Sequence, residues 1–567
     1  YYVRNMINDA AQYNQTTKRL TLNVPEGAQY AESRGDADAY TLRAQLNFNR
    51  EFGLHNITAL AGGERRRTRS TNTSIYYMGF DESTLAYKPV NPTTLVNLKG
   101  TESLAGNFNW SSTGSNWINE IENRYVSFYA NAAYAFDSKY NLTASIRIDQ
   151  SNLFGTDPRY QYRPLWSVGG AWHLSKERFI AGKLSWLNNL TLRLTYGIGG
   201  NVPRGAGPFV TIKAAQYNPW SKDFGAEIKN PPNYTLRWEK TATANLGIDF
   251  ALLDNRLSGS IEVYRKHSTD LLAQRDADPT LGFRQLTLNY GNMTNRGVEL
   301  TLNSVNLQTR HLRWTTGVNF GYNKNTLDDV EDSNPNVLSY TSGFAAVKGH
   351  PLGAIFSYRY AGLSGTDGTP RYYVDEGNRT DAQVSNLADL AYSGTRHPTY
   401  SGSLSNTIAY KNFELSFMFM FYGGNVLRTE AAPYLSEPTH LNPNKEMNNI
   451  WRQPGDERNP DATPAFTGYA LDLTTMVHPW HAADKHVFKA DYAKLRHVSL
   501  TYRVPQQLVS RCHLSQLAFT LQAQNLFRWT ANSYNIDPEA LGTTGYGWGM
   551  RAIPSPATWT LGVSATF

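Results

Sequence analysis

The sequence predicts an all-β protein, in the form of a large antiparallel transmembrane β-barrel with long loops at one end and short turns at the other. Three observations predict this fold. Apolar and polar side chains alternate with a period of two, the connections alternate between tight and long, and the 567 residues contain no long apolar run. A spanning helix needs about 18 apolar residues, whereas a spanning strand needs about 10, of which every second one meets lipid. The mean hydropathy of −0.50 therefore excludes a helical membrane protein but not a barrel.

The alternation is clearest at the C-terminus, where one strand carries an apolar face and a small polar face. Trp559, Leu561, Val563, Ala565 and Phe567 alternate there with threonine, glycine and serine. About 15 segments show such a pattern, each near the length of a tilted spanning strand. They are residues 40–50, 56–68, 123–136, 140–150, 165–174, 187–199, 235–252, 256–267, 294–304, 312–324, 399–410, 413–424, 493–504, 514–526 and 557–567.

The connections between these segments differ in length from one end of the strands to the other. Tight connections fall near Gly53, Asp137–Lys139, Asp254–Asn255 and Lys411–Asn412, with longer ones at 175–186, 305–311 and 505–513. Between them come long segments at 69–122, 151–164, 200–234, 268–293, 325–398, 425–492 and 527–556. Outer-membrane barrels have short periplasmic turns and long outside loops. A β-propeller or tandem β-sandwiches fit less well, because the spacing is irregular and the loops are very unequal.

Composition narrows the function classes. Aromatic residues make up 13% of the chain, which suits interfacial positions in a membrane barrel or the surface of a carbohydrate-binding β-protein. The net charge of +7 is dispersed among acidic residues, so we expect no nucleic-acid partner. The single cysteine, Cys512, excludes an intrachain disulfide and a cysteine-based zinc site. The sequence shows no signal peptide at its start. It also shows no nucleophile elbow, HExxH or P-loop motif, so we expect no enzyme and no cofactor.

Strand parity predicts more strands than these. If the last of 15 antiparallel strands runs toward the periplasm, the first strand runs toward the periplasm as well. The two end strands would then be parallel, whereas bacterial barrels close with an even number of antiparallel strands. We therefore expect either further strands before residue 1 or one unrecognised strand within the chain, and we expect residues 1–39 to be an outside loop or a partial strand.

Several ordered motifs between about residue 120 and the end resemble those of the SusC/RagA family of TonB-dependent transporters. They are Arg147-Ile-Asp-Gln-Ser-Asn-Leu-Phe-Gly155, Trp166-Ser-Val-Gly-Gly-Ala-Trp172 with Lys176-Glu-Arg-Phe179, Asn289-Tyr-Gly-Asn-Met-Thr-Asn-Arg-Gly-Val-Glu299, Gly349-His-Pro-Leu-Gly353 with Tyr358-Arg-Tyr-Ala-Gly362, Trp451 with Pro454-Gly-Asp-Glu457, Asn525-Leu-Phe527, Asp537-Pro-Glu539, and the aromatic-ended last strand. The resemblance implies a barrel of 22 strands, with residues 1–567 as one domain forming its C-terminal part. The family's N-terminal plug and TonB box are not recognisable in these residues.

The resemblance also implies a function. It predicts an outer-membrane active importer of oligosaccharides or peptides, working with a SusD-like surface lipoprotein and energised by TonB through the missing N-terminal region. Outer-membrane lipids and lipopolysaccharide would surround it, and the strand from Trp559 to Phe567 resembles the signal read by the barrel-assembly machinery. Two alternatives stay open: a passive porin-type channel, and a soluble secreted β-rich carbohydrate-binding protein.

Seven aromatic residues in the expected loops are candidates for stacking on sugar rings or packing against the lipoprotein: Trp110, Trp117, Trp220, Tyr340, Trp451, Trp480 and Trp548. Each is also a candidate for an interfacial anchor or a residue of a loop core.

Three charged or histidine-rich clusters have a functional and a plainer interpretation. His478, His481 and His486 with Asp484 resemble metal ligands in residue type, but their spacing matches no defined zinc pattern, so we interpret them as a polar loop. The acidic run Asp328, Asp329, Glu331 and Asp332 lacks the order of a calcium loop and is interpreted as a solvated turn. Arg65, Arg66, Arg67 and Arg69, at the upper end of a predicted strand, are either contacts for phosphates or acidic cargo or a solvated basic run.

Overall fold

The computed structural model describes most of the chain. The described residues are 2–90, 95, 102–103, 106–107, 117–153, 155, 157–201, 207–218, 223–276, 278, 280, 282–283, 285–330, 337–341, 346–374, 378–380, 384, 387–432, 434, 445–468, 476–510, 513–540 and 552–567. Trp110, Trp220, Glu331, Asp332, Cys512 and Trp548 lie outside them.

The main element is one sheet of fifteen strands in which each strand lies beside its neighbours in sequence. This arrangement confirms the predicted all-β meander and the fifteen strand positions. The strands are β1 (Ala28–Phe52), β2 (His55–Phe80), β3 (Trp117–Phe136), β4 (Tyr140–Ser151), β5 (Leu165–His173), β6 (Leu187–Asn201), β7 (Glu239–Leu252), β8 (Leu257–Asp276), β9 (Gln285–Gln308), β10 (Leu312–Asp329), β11 (Tyr400–Tyr410), β12 (Phe413–Gly423), β13 (Tyr492–Arg503), β14 (Gln516–Thr530) and β15 (Thr558–Thr566).

The tight turns occur where the sequence predicts them, and they use left-handed backbone conformations. Asp137 and Ser138 both have φ near +50° between β3 and β4, and Lys411 has φ +52° between β11 and β12. Asp and Asn tolerate this region because their short side chains hydrogen-bond locally. The turns join β1 to β2, β3 to β4, β7 to β8 and β11 to β12 in two to four residues, and the long connections all leave the opposite ends of the strands.

Several strands extend further into the expected loops than the sequence predicts. β2 continues to Phe80, so the predicted loop 69–122 starts inside a strand, and β8 and β9 occupy most of the predicted loop 268–293. The predicted loop residue Trp117 is instead the first residue of β3. The physical reason is that the backbone ladder continues beyond the hydrocarbon, where both faces meet water and alternation is no longer required.

One face of the sheet is apolar from strand to strand. Register partners on β4 to β14 form a continuous row on this face without a charged residue: Tyr140, Trp172, Leu192, Ile248, Ile261, Leu300, Phe320, Gly402, Phe421, Ala493 and Trp529. A second row nearer the turns is Leu307, Trp314, Ile408, Leu415, Leu500, Leu521 and Leu561. Leu561 is 74% exposed. Large exposed apolar surface of this extent is stable against lipid and not against water.

The opposite face carries polar and charged side chains that bond to one another. Arg193 of β6 pairs with Asp249 of β7 at 2.6 Å and with Glu262 of β8 at 2.8 Å. Asn245 donates to the same Glu262 at 2.8 Å. The two faces therefore separate an apolar exterior from a polar interior, as the period-two pattern predicts.

The remaining described elements are short. Helices are Tyr2–Asp9, Pro158–Gln161, Val337–Thr341, His478–His481 and Gln506–Val509, with 3₁₀ turns at Leu174–Lys176, Leu387–Asp389, Lys445–Asn449, Asp456–Arg458, Asp484–His486 and Pro538–Ala540. Small antiparallel sheets are Ala11–Asn14 with Arg19–Leu22, Glu102–Ser103 with Gly106–Asn107, Thr211–Asn218 with Asp223–Asn230, Ala354–Tyr358 with Leu390–Thr395, Val426–Arg428 with Val487–Lys489, and Tyr360–Leu363 with Pro370–Val374 and Asn378–Thr380. No helix among the described residues has the length and apolarity needed to cross a bilayer.

The chain divides into two compact units. The first contains residues 1–46, 61–128 and 149–153, and the second contains 47–60, 129–148 and 154–567. In the first unit, Ala10, Val24, Met78 and Leu95 form a small buried cluster. The predicted segment 1–39 is neither simply a loop nor a partial strand, because its described residues 2–39 form a helix, a hairpin and the first part of β1.

We predict that a charge on the apolar face destabilises the protein, whereas the same charge on the polar face does not. Leu521→Arg should lower the free energy of unfolding by roughly 2–4 kcal/mol, the cost of placing arginine against hydrocarbon. Its register partners Leu500 and Leu561 offer no compensating charge. Urea unfolding of the full-length protein in lipid vesicles measures the change. Gln522→Arg, one residue away on the polar face, is the matched control, and an equal loss in both variants would contradict the assignment of the faces.

Candidate functional site

The connections after β10 and β12 pack together into a folded surface domain, here called the loop core. It consists of the described residues between 337 and 395 and between 424 and 491. The backbone N–H of Tyr358 donates to the carbonyl of Ala482 at 3.1 Å, and that of Tyr360 donates to Oδ1 of Asp484 at 3.1 Å. Buried apolar side chains from both connections, including Phe356, form a common cluster. The loop core therefore has its own hydrophobic interior, separate from the faces of the sheet.

A buried arginine connects the two halves of the loop core. Arg428 donates to the carbonyl oxygens of Thr341 and Phe356, the latter at 2.6 Å, and to Oγ of Ser357 at 3.0 Å. Among the described residues no carboxylate pairs with it, and burial lowers the pKa of its guanidinium to about 10. Backbone carbonyls thus take the place of a counter-ion, so the position of Arg428 depends on both connections being folded.

Trp480 is the centre of the aromatic packing. Its side chain is completely buried, and Nε1 donates to the carbonyl of Ala432 at 2.8 Å. Its ring meets Tyr360 edge-on at 5.8 Å and His486 at 4.7 Å between ring centroids. Lys485 lies over the same ring at 5.1 Å. An indole with its N–H satisfied and both sides occupied is a structural residue in this conformation.

The Trp451…Glu457 motif forms a second small cluster in the loop core. Trp451 is 8% exposed and donates from Nε1 to Oε2 of Glu457 at 3.1 Å. The same oxygen accepts the backbone N–H of Gly455 at 2.7 Å. The Trp451 ring lies against Gly368, where a Cβ would come within 2.6 Å of it and where φ is +70°. This motif therefore fixes the fold of the connection.

The structure places four of the seven candidate aromatic residues. Tyr340 is 7% exposed and contacts Phe356, so together with Trp451 and Trp480 it lies inside the loop core. Trp117 is 45% exposed but belongs to β3. The other three lie outside the described residues. Tyr340, Trp451 and Trp480 are thus buried and not presented to a ligand.

Sequence reasoning missed exposed phenyl and phenol rings in the long connections. Phe466 is 37% exposed, and Tyr534 is 47% exposed beside Phe488 at 5.1 Å. Phe and Tyr are frequent throughout this chain, so their residue type gave no signal. Only the burial of the tryptophans distinguishes the two sets.

His478 and His486 of the loop core are buried and His481 is half-buried, and burial keeps all three uncharged near neutral pH by lowering their pKa. His478 lies 2.6 Å from Oγ1 of Thr341. Burial lowers the pKa of His478 and of His481 to about 4 and that of His486 to about 3, and the nearby Arg428 contributes at His478 and His486. Within the described part of the chain no three His, Cys, Asp or Glu side chains are grouped to hold a metal ion. These histidines lie in an outside loop, as interpreted, but His478 and His486 belong to its packed interior and not to a solvated surface.

The arginine and aspartate clusters are parts of local ion pairs. Arg67 bonds to Glu122, and Arg69 pairs with Glu120 at 2.7 Å. These arginines lie in the middle of β2 and not at its upper end, since the strand continues to Phe80. Asp328 accepts a hydrogen bond from Oγ1 of Thr294 at 2.5 Å, and Asp329 pairs with Lys348 at 3.2 Å.

The Asp537-Pro-Glu539 motif anchors the last long connection to the sheet. Lys494 of β13 is buried between Asp537 and Glu539, with its Nζ at 2.7 Å from each carboxylate. Arg528 pairs with Asp537 at 3.2 Å, and the hydroxyl of Tyr492 donates to Glu539 at 2.8 Å. The network positions the start of this connection against the ends of β13 and β14.

The apolar outer face, the polar inner face and the folded connections at one end define an outer-membrane β-barrel protein. The chain belongs to the family described as "TonB dependent receptor-like, beta-barrel", which matches residues 2–419. This match confirms the predicted localisation in the outer membrane. The similarities in the next paragraph confirm the predicted resemblance to SusC and RagA.

Three similarities illustrate the relationship. TonB-dependent receptor P3 of Formosa agariphila is 24% identical over 92% of this chain and 52% of its own length. TonB-dependent receptor SusC of Bacteroides thetaiotaomicron is 27% identical over 52% of this chain and 31% of its own length. The structure of the RagAB peptide transporter matches with a TM-score of 0.75 and 22% identity over 95% of this chain and 56% of that one. The chain thus spans about half the length of relatives such as receptor P3.

We predict that Trp480→Ala unfolds the loop core but leaves the sheet intact. Removing a fully buried indole costs roughly 3–5 kcal/mol, which is a large share of the stability of a small domain. Limited proteolysis should then cut between residues 424 and 491, while the strands of the sheet stay protected from cleavage. Trp186→Ala, at a tryptophan that is 49% exposed in the turn between β5 and β6, should change neither property. Unchanged proteolysis of the Trp480 variant would show that the loop core does not depend on this ring.

We also predict that the loop core loses stability in mild acid. The unfolded histidines titrate near pH 6.5 and the folded ones near 4 or 3, so below pH 6.5 only the unfolded state takes up protons. The stability present above pH 6.5 should fall as the pH drops, by roughly 2 kcal/mol per histidine between pH 7.5 and 5. Hydrogen exchange at pH 7.5 and 5, corrected for intrinsic rates, measures this. Peptides from β14 serve as the internal control, and equal protection of the loop core at both values would refute the prediction.

Proposed function

We propose that the full-length protein is an active importer of nutrient oligomers, either oligosaccharides or peptides. In this proposal a SusD-like surface lipoprotein binds over the outer connections, and TonB supplies the energy for passage. The protein moves its cargo chemically unchanged and is not an enzyme. The observation that carries the proposal is the fold shared with the RagAB peptide transporter over 95% of this chain.

The loop core supports this proposal physically. A partner or cargo must be held at the outer end of the strands, and a surface that is already folded loses little conformational entropy on binding. The loop core is held by Arg428 and Trp480 and by its own apolar cluster, so it can present a fixed surface. Phe466 and Tyr534 are exposed rings on the described outer connections, and aromatic rings bind both sugar faces and protein surfaces.

The remaining expected partners form part of the same proposal. β15 ends the sheet and pairs with β14 alone among the described strands, from Leu517 opposite Ala565 to Ala523 opposite Trp559. Before a barrel closes, its last strand offers a free edge, and an assembly factor can bind that edge by strand pairing. We propose that the barrel-assembly machinery recognises it during insertion.

Energy dependence and the exposed rings test the proposal together. Cells that express the full-length protein should accumulate labelled oligosaccharide or peptide, and a protonophore should abolish this uptake. A surface lipoprotein of SusD type should co-purify from detergent-solubilised outer membranes. Phe466→Ser combined with Tyr534→Ser should weaken uptake or lipoprotein binding about tenfold, because aromatic contacts contribute roughly 1 kcal/mol or more at interfaces.

Phe179→Ser provides the matched control for the double variant. Phe179 is 58% exposed, but it lies in the turn between β5 and β6, at the other end of the strands from the outer connections. We expect its uptake and its lipoprotein binding to be unchanged. Uptake that continues with a protonophore would identify a passive channel, and an absence of both uptake and a lipoprotein would remove the importer proposal.

A further inference from the structure

Three basic side chains form a row on the membrane-facing side of the sheet. Arg265 of β8 is the direct register partner of Arg296 of β9, and Arg296 is the direct partner of Lys324 of β10. All three side chains are exposed. Side chains that are directly opposite on adjacent strands have Cβ atoms about 5 Å apart, so three positive charges lie side by side.

The alternation of each strand assigns this row to the apolar face. Val263, Val298 and Tyr322 lie two residues closer to the turns than Arg265, Arg296 and Lys324, respectively, and are register partners of one another in the same way. Residues two apart on a strand share a face. The acidic Glu262 and Glu299 occupy the other face, together with the polar network of Arg193.

The height of the row corresponds to the outer boundary of the hydrocarbon. On β10 every outward residue from Trp314 to Tyr322 is apolar except Thr316. Lys324 is the next outward residue. This stretch is close to the 9–11 residues with which a tilted strand crosses the bilayer. The row lies on the side of the long connections, which is the outer side, so its charges reach the level of the outer lipid headgroups.

The charges of the row are not neutralised within the described part of the protein. No ion pair or hydrogen bond of these three side chains is present among the described residues. The acidic residue further along their face, Asp328, lies four positions beyond Lys324, accepts from Thr294 at 2.5 Å and lies 3.5 Å from His267. Like charges directly opposite one another destabilise a sheet, so an external anion at this position would be stabilising.

We propose that Arg265, Arg296 and Lys324 form a binding site for the phosphate group of an outer-leaflet lipid. Arginine binds phosphate through two parallel hydrogen bonds, and lysine adds a point charge. The acyl chains of the same lipid would lie along the apolar residues below, including Val263, Val298 and Tyr322. The site does not depend on the proposed import activity, since a passive barrel in the same membrane would carry it equally.

Lipid binding by the full-length protein tests this site. The protein is purified from outer membranes, stripped of lipid in detergent, and titrated with monophosphorylated lipid A, with its dephosphorylated form, and with inorganic phosphate. Native mass spectrometry counts the bound lipid. The wild type should bind the phosphorylated lipid about tenfold or more tightly than the dephosphorylated one. Arg296→Gln should remove this difference, whereas Arg296→Lys should retain part of it.

Thermal unfolding is the second measurement, and without lipid the substitution that weakens lipid binding should stabilise the protein. Without lipid, Arg296→Gln should raise the midpoint of thermal unfolding, because it removes the central like charge. With the phosphorylated lipid, the wild type should gain more in midpoint than the variant. Lys266→Gln is the matched control, since Lys266 is adjacent to Arg265 on the opposite face, where its Nζ lies 4.7 Å from the Tyr264 ring. It should bind lipid as the wild type does.

Three results would overturn the proposal. The first is equal affinity of the wild type for both lipids. The second is the same loss of binding in Lys266→Gln as in Arg296→Gln. The third is displacement of the phosphorylated lipid by inorganic phosphate at the lipid's own concentration, which would assign the row to a free anion and not to a membrane lipid.

Discussion

The register of the antiparallel ladder is the constraint on which the rest of this structure depends. A strand in a bilayer satisfies its backbone polar groups only through its neighbours, and its side chains alternate between hydrocarbon and interior. A slip of one residue between β6 and β7 would turn Arg193 or Asp249 toward lipid. Short turns such as the one containing Lys411 reduce the freedom to slip. The continuous apolar rows from β4 to β15 are the visible result.

The loop core follows a different rule. Beyond the bilayer both faces of a strand meet water, so apolar side chains of the connections have no lipid to cover them. The two longest connections instead bury Phe356, Tyr358 and Trp480 among themselves. Arg428 satisfies the carbonyl of Phe356, and Asp484 satisfies the backbone N–H of Tyr360. The outer end is thus folded as a small globular domain fixed to the strands.

The sequence predicts the strands well because their pattern has a single physical cause. Leu142, Ala144 and Ile146 alternate with polar residues since one side of β4 meets lipid, and this signal is local. The ends of β2, β8 and β9 could not be predicted, because alternation stops where lipid stops while the backbone ladder continues.

The interior of the loop core could not be predicted for another reason. Arg428 and Thr341 are 87 residues apart in sequence, and Trp480 and Ala432 are 48 apart. No periodicity relates such pairs, so a tryptophan of the interior has the same local signal as a tryptophan exposed to a ligand. Motifs such as Asp537-Pro-Glu539 did point to special positions, and the structure gives their role as anchors to Lys494 and Arg528.

The attachment of Arg428 to both long connections has a mechanical consequence. The two connections begin and end on β10, β11, β12 and β13, which are consecutive neighbours in the sheet. A force applied to either connection is therefore transmitted through Arg428 to the other and is shared by four strands held by a continuous ladder. The two connections therefore respond to such a load together. Separating one from the other requires the guanidinium of Arg428 to leave the carbonyls of Thr341 and Phe356.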